Sequence, residues 1–186
     1  MLAPSWSGGS PPGAGAARAL GWSALAAYVA AIALANLLLA EGIFVDLGFG
    51  LVAPAAVFAV GATFTLRDAV QSTLGYAAAL AAIAGGGVLS ALFAPRFALV
   101  SAVAFLAGEL VDLAVYTPLR QRSWLAAVVL SNTAGLLLDS WLFLTLAFGS
   151  LALLPGQVVG KALMTALAIV PIGLWQVWRG AVAGNA

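Results

Sequence analysis

Residues 124–149, WLAAVVLSNTAGLLLDSWLFLTLAFG, decide the fold. The run is long enough to cross about 30 Å of hydrocarbon at 1.5 Å rise per helical residue, and its single charge is Asp139. It shows none of the polar–apolar alternation of a barrel strand. Backbone amides in lipid must be paired within their own segment, so the run reads as a transmembrane helix. Working outward, polar or breaker residues delimit five more apolar segments of crossing length, at 22–40, 47–66, 74–94, 97–116 and 158–178. The expected fold is all-α: a polytopic bundle of six transmembrane helices.

Composition leads the same way. Of 186 residues 64% are hydrophobic and 7% charged, against about a quarter charged in a soluble domain. So few charges cannot cover a water-facing surface, and the bilayer is the solvent. With no cysteine, the chain has no disulfides, thiolate metal sites or Cys nucleophiles. With no histidine, it lacks the commonest metal ligand and general base. Haem carriers, zinc intramembrane proteases and Ser-His proteases are thereby disfavoured, and no metal or other cofactor is expected. There is no basic run for nucleic acid and no Gly-rich Lys loop for a nucleotide.

Residues 1–20 are rich in Pro, Gly, Ala and Ser and read as a disordered tail. It is not a signal peptide, because the first Arg, Arg18, stands directly before the first apolar run. The membrane domain then covers 21–180, with a short tail at 181–186. Counting Lys and Arg in the loops puts Arg18, Arg67, Arg120, Arg122 and Arg179 on one side. Arg96, Glu41 and Asp46 fall on the other, so both termini are expected in the cytoplasm. Small residues, among them Gly85 to Gly87 and the series Ala24, Ala27, Ala31 and Ala35, suggest close helix packing.

The informative residues are those the membrane should not contain, since a mid-span Asp or Arg costs about 2.5–3.5 kcal/mol on insertion scales. Arg67 and Asp68 end the second segment, Glu109 and Asp112 lie in the fourth, Asp139 in the fifth and Lys161 in the sixth. Glu109, Asp112 and Tyr116 share one helix face, as do Asn132 and Asp139, with Ser131 and Ser140 beside them. The economical arrangement points the two stripes at each other across a central cavity, with Arg67 or Lys161 offsetting charge. Arg67 and Asp68 could instead be ordinary cytoplasmic-end charges, and Lys161 could snorkel to the outer surface. Asp139 and Glu109 lie too far from either interface for that escape.

At these residues the chain resembles the vitamin uptake transporter family, also described as queuosine precursor transporters. Phe64-Thr65-Leu66-Arg67-Asp68 with Gly75 resembles the family's membrane Asp followed seven residues later by Gly. Gly108-Glu109-Leu110-Val111-Asp112, running on to Leu119-Arg120-Gln121, is similar to its Gly-Gln/Glu-x-x-Asp segment. Ser131-Asn132 through Gly135 to Asp139 resembles its fifth helix, and Lys161 and Pro171 stand where the family has a late Lys and Pro. Ser72 replaces the Glu or Arg that relatives often carry. The resemblance covers about residues 55–175. It implies a six-helix inner-membrane transporter, not an enzyme, that imports 7-cyano-7-deazaguanine (preQ0) or a related deazapurine.

The residue types suit a flat, neutral, purine-like base. A carboxylate can accept from a ring N–H and an exocyclic amine together, which makes Asp68, Glu109, Asp112 and Asp139 candidates. Gln71 and Asn132 can serve other polar edges, and Phe64, Tyr116 and Trp141 can stack on the ring. If uptake is proton-coupled, a buried carboxylate is the natural carrier, Glu109 or Asp139 in the first place. Two rivals stand beside this reading: the substrate-capture subunit of an ATPase-driven vitamin transporter, and an intramembrane lipid-modifying enzyme. The expected partners are the bilayer and a small molecule, and the chain could assemble as a homo-oligomer.

Overall fold

Apolar runs become helices, and Gly, Pro and short polar stretches set where the helices stop. The computed structural model describes residues 14–93 and 98–167. Within them lie helix α1 (Ala14–Ala40), strands β1 (Phe44–Asp46) and β2 (Val52–Pro54), and helices α2 (Ala56–Leu74), α3 (Tyr76–Phe93), α4 (Ala98–Leu119) and α5 (Trp124–Phe148). A sixth helix, α6, covers 154–167. Among the described residues α1, α4 and α5 are long and apolar enough to cross a membrane, and the apolar part of α3, Tyr76–Leu92, is shorter. Residues 1–13, Arg96, Pro171, Arg179 and the tail at 181–186 lie outside the described residues.

Two boundaries differ from the sequence expectation. Helix α1 begins at Ala14, inside the stretch whose composition reads as tail. The second helix begins at Ala56 rather than near residue 47, because 44–54 folds into an antiparallel hairpin pairing Phe44 with Pro54 and Asp46 with Val52. Its turn needs left-handed backbone at Gly48, Phe49 and Gly50, and the Asp46 side chain accepts from the Gly48 N–H at 2.8 Å. A helix cannot run through such a turn. The shift moves Arg67 and Asp68 from the end of a span into the interior of α2.

The ends of α5 follow capping rules. The Ser123 hydroxyl accepts from the Ala126 N–H at 3.3 Å, and Gly149 closes the helix in the left-handed region. Between α2 and α3 a single residue, Gly75, makes the corner at φ +95°. Pro118 stands in the last turn of α4. Glycines also set helix separations. A Cβ on Gly135 of α5 would lie 2.8 Å from the Asp112 Cβ and 2.9 Å from the Gly108 carbonyl oxygen, and one on Gly108 would lie 2.7 Å from the Asp139 Cβ. The α4–α5 contact is therefore close packing of backbone on backbone, and no cavity separates these two helices.

The small-residue reading holds at Gly86, which meets Ile32 and Phe105, and at Gly87, which meets Leu106, whereas Gly85 meets open space. On α1 the buried face runs through Gly21, Ala24, Tyr28, Ile32 and Ala35. Ala27 faces outward, because the stripe follows the larger Tyr28 and Ile32 into the core. We predict that Gly135→Leu lowers stability by about 1–3 kcal/mol through overpacking, while Gly85→Leu leaves it unchanged within error. Thermal unfolding of the two purified variants in detergent checks this.

Candidate functional site

The polar side chains collect in two groups, in series along α2, α4 and α5. The first surrounds Arg67, which is fully buried on α2. Its Nη1 lies 2.7 Å from Asp68 Oδ1, its Nε 3.1 Å from Glu109 Oε2 and its Nη2 2.5 Å from Asp112 Oδ1. One guanidinium thus faces three carboxylates, two of them from the i, i+3 pair on α4. All four side chains are buried. Paired burial of this kind removes part of the desolvation cost each charge would carry alone.

Around this group α2 and α4 are latched together. The Tyr116 ring lies 5.8 Å from the Arg67 guanidinium carbon and 5.9 Å from that of Arg120, within cation–π range. The Tyr116 hydroxyl meets Ser72 Oγ at 2.9 Å, and Gln71 Nε2 donates to Thr117 Oγ1 at 3.0 Å. Arg120 donates to the Gln71 carbonyl at 3.2 Å. Ser72, where the resembled family often has a charge, here holds a tyrosine. Asn132 points elsewhere: its Nδ2 donates to Thr65 at 3.0 Å and Thr165 at 3.2 Å, tying α5 to α2 and α6.

The second group sits nearer the hairpin. Lys161 of α6 is buried and pairs with Asp139 of α5, and it also donates to Ser140 Oγ at 2.7 Å and Gln157 Oε1 at 3.4 Å. Between snorkelling and pairing, the structure has the lysine paired. The pair borders a small cavity of about 60 Å³ between α1, α2 and the hairpin-side portions of the other helices. Its apolar walls include Ile32, Val57, Val60, Phe105 and Phe143. On the wall formed by α1 and α3, Asn36 donates to the Ile32 carbonyl at 2.8 Å and to Ser90 Oγ at 3.1 Å. Ser101 Oγ, also lining the cavity, is buried without a hydrogen bond.

Of the residues singled out from the sequence, Asp139 and Lys161 line this cavity. Arg67, Asp68, Gln71, Glu109 and Asp112 lie about one to three turns further along their helices, around the first group. The aromatic candidates need correction as a stacking set for this cavity. Phe64 is buried against Gly135, Tyr116 is held by the two arginines, and Trp141 is 48% exposed on the outer face of α5. Phe105 and Phe143 stand there instead. Asn36 and Gln157 were detectable as lone amides in apolar runs, whereas Ser90 and Ser101 carry no such signal, since serine is common in membrane helices.

Removing the guanidinium should be costly. Arg67→Met leaves three buried carboxylates unpaired, and we expect a loss of about 3–5 kcal/mol at neutral pH. Adding Asp112→Asn to that variant should recover part of the loss, a non-additivity that thermal unfolding of the single and double variants measures.

Comparison with known proteins bears on the C-terminal part of this arrangement. Residues 88–176 match the family model described as "Putative vitamin uptake transporter", a stretch that contains Glu109, Asp112, Asn132, Asp139 and Lys161. No curated protein and no solved structure matches the chain significantly. The apolar helices make it a membrane protein, and over residues 88–176, somewhat under half of the chain, it is similar to the vitamin uptake transporter family.

Proposed function

We propose that the chain is a multi-pass plasma-membrane transporter that imports a queuosine precursor, preQ0 or a related deazapurine, through the polar cavity by alternating access. The observation that carries this reading is the cavity with its Asp139–Lys161 pair, placed in series with the Arg67 group. Its lining supports a binding role, since it offers two aromatic rings with a few polar groups on opposite walls. Asp139 and Lys161 present an acceptor and a donor to the edges of a flat base, while Phe105 and Phe143 meet its faces. Glu109 and Asp112, with Asp68, Gln71 and Asn132, come into contact with the base as it passes toward the other end.

The Arg67 group and the Tyr116 latch close the path beyond the cavity. Release of the base then requires α2 and α4 to part where Tyr116, Ser72, Gln71 and Thr117 join them, a helix-group motion of the kind transporters use. Placing both termini in the cytoplasm puts the hairpin and the cavity on the outer side, as import requires. The native chain has no cysteine, so single introduced cysteines report orientation directly. A membrane-impermeant thiol reagent should label Glu41→Cys in intact cells and Arg122→Cys only after permeabilisation.

Uptake of labelled deazaguanine precursor into cells unable to make it tests the function, with the isolated chain in ATP-free liposomes separating it from an ATPase-driven subunit. Asp139→Asn weakens a charge-assisted contact worth about 1.5–3 kcal/mol, so uptake should fall about tenfold or more. Asp112→Asn should also lower it. The double variant Asp139→Asn, Lys161→Met, which leaves no unpaired buried charge, controls for folding. Normal uptake in both single variants would overturn the site.

A further inference from the structure

The Arg67 group does not balance. Three carboxylates, Asp68, Glu109 and Asp112, face one guanidinium, and even with Arg120 counted, which acts on Asp68 from beyond Tyr116, one negative charge is in excess if all are ionised. Burial at 0–2% exposure gives water no access to offset it. An uncompensated buried carboxylate costs several kcal/mol, and such a group takes up a cation instead. By contrast Asp139 and Lys161 cancel one for one. Among the described residues the excess belongs to the Arg67 group.

The oxygens turned away from Arg67 show what kind of cation fits. Asp68 Oδ2, Glu109 Oε1 and Asp112 Oδ2 are each buried without a hydrogen bond. Each carboxylate already spends its other oxygen on the guanidinium, so these are the oxygens left to take a cation. Among the described residues no group of three or more His, Cys, Asp or Glu side chains is placed to hold a metal ion. A proton needs only one oxygen. A second feature singles out Glu109 among the three: Tyr28 of α1 is fully buried, faces Glu109, and its hydroxyl closes no hydrogen bond in good geometry. A protonated Glu109 would supply the hydrogen that such an oxygen can accept, and an ionised one would take the tyrosine's.

We propose that the Arg67 group is a proton-binding site, with Glu109 as its principal carrier, and that its proton moves with the imported base. The coupling rests on the transport function proposed above, while the proton site itself does not. The groups facing Glu109 and its partners are Tyr28 from α1, Thr63, Arg67 and Asp68 from α2, Asp112 and Tyr116 from α4, and Arg120 just beyond the end of α4, which acts on Asp68. Helix α5 adds only the Ser131 hydroxyl, against Asp112. Thr63 also lines the cavity, one helical turn from Arg67, so a base in the cavity and a proton on Glu109 lie on either side of one side chain. Because Arg67 spans α2 and α4, loading and release of the proton alter the attraction that holds the latch closed.

Two measurements on the full chain test this. Infrared spectroscopy of the purified protein in an ester-free detergent should show a protonated carboxyl band at neutral pH. The band should survive Asp139→Asn and shrink in Glu109→Gln. Absence of the band, or its persistence unchanged in Glu109→Gln, Asp68→Asn and Asp112→Asn alike, would refute the site. In liposomes, an inward proton gradient of about one pH unit should concentrate a neutral base about tenfold at one proton per base, since tenfold equals 1.4 kcal/mol. Glu109→Gln should abolish that accumulation. Uptake that equilibrates without responding to the gradient overturns coupling and leaves transport standing. Where the labelled base is not carried at all, the infrared result decides, so failure of transport and failure of the proton site are told apart.

Discussion

A single guanidinium organises the interior. Arg67 enters an apolar bundle, where an isolated charge would be expelled, and it stays because three carboxylates from two helices meet it. The pairing constrains everything near it. Glu109 and Asp112 must occupy one face of α4, α2 must present its Arg67 and Asp68 turn toward that face, and Tyr116 must lie against the guanidinium. The Asp139–Lys161 pair is a second, simpler solution to the same electrostatic problem, made between α5 and α6.

Close approach of backbones makes these pairings reachable. Gly108 and Gly135 bring α4 and α5 into direct contact, so that Asp112 and Asp139 sit beside the partner helix's glycine. A side chain at either glycine would force the helices apart and pull the carboxylates out of register. Small residues in this bundle therefore position charge as well as fill space. The consequence is a cavity displaced toward the hairpin, bordered by the balanced pair, with the unbalanced Arg67 group behind it. In a transporter such a layout separates a binding place from a barrier.

Much of this was legible in the sequence, for a physical reason: charge in hydrocarbon is too costly to be accidental. Arg67, Asp68, Glu109, Asp112, Asp139 and Lys161 stand out by type and depth alone, and the i, i+3 spacing of Glu109 and Asp112 places them together without any coordinates. The helix at Trp124–Phe148 follows from its own length and apolarity. What could not be read were residues whose types are unremarkable. Ser90, Ser101 and Phe105 become cavity walls only through the packing of α1 against α3 and of Phe105 against Tyr28 and Ile32. Trp141 illustrates the converse, an aromatic near a buried Asp that the helix turns outward.

The hairpin shows where local reading fails. Apolar residues from 47 onward look like the start of a span, yet the positive-φ turn at Gly48 to Gly50 and the strand pairing up to Pro54 delay the helix to Ala56. Hydrophobicity and the cost of buried charge act residue by residue, so the membrane setting, the helical segments and the charges that matter are readable along the chain. Who pairs with whom is a matter of packing: Lys161 with Asp139, and Arg67 with three carboxylates at once. Pairing depends on which helices touch and how closely, and that is set by contacts between residues far apart in the chain.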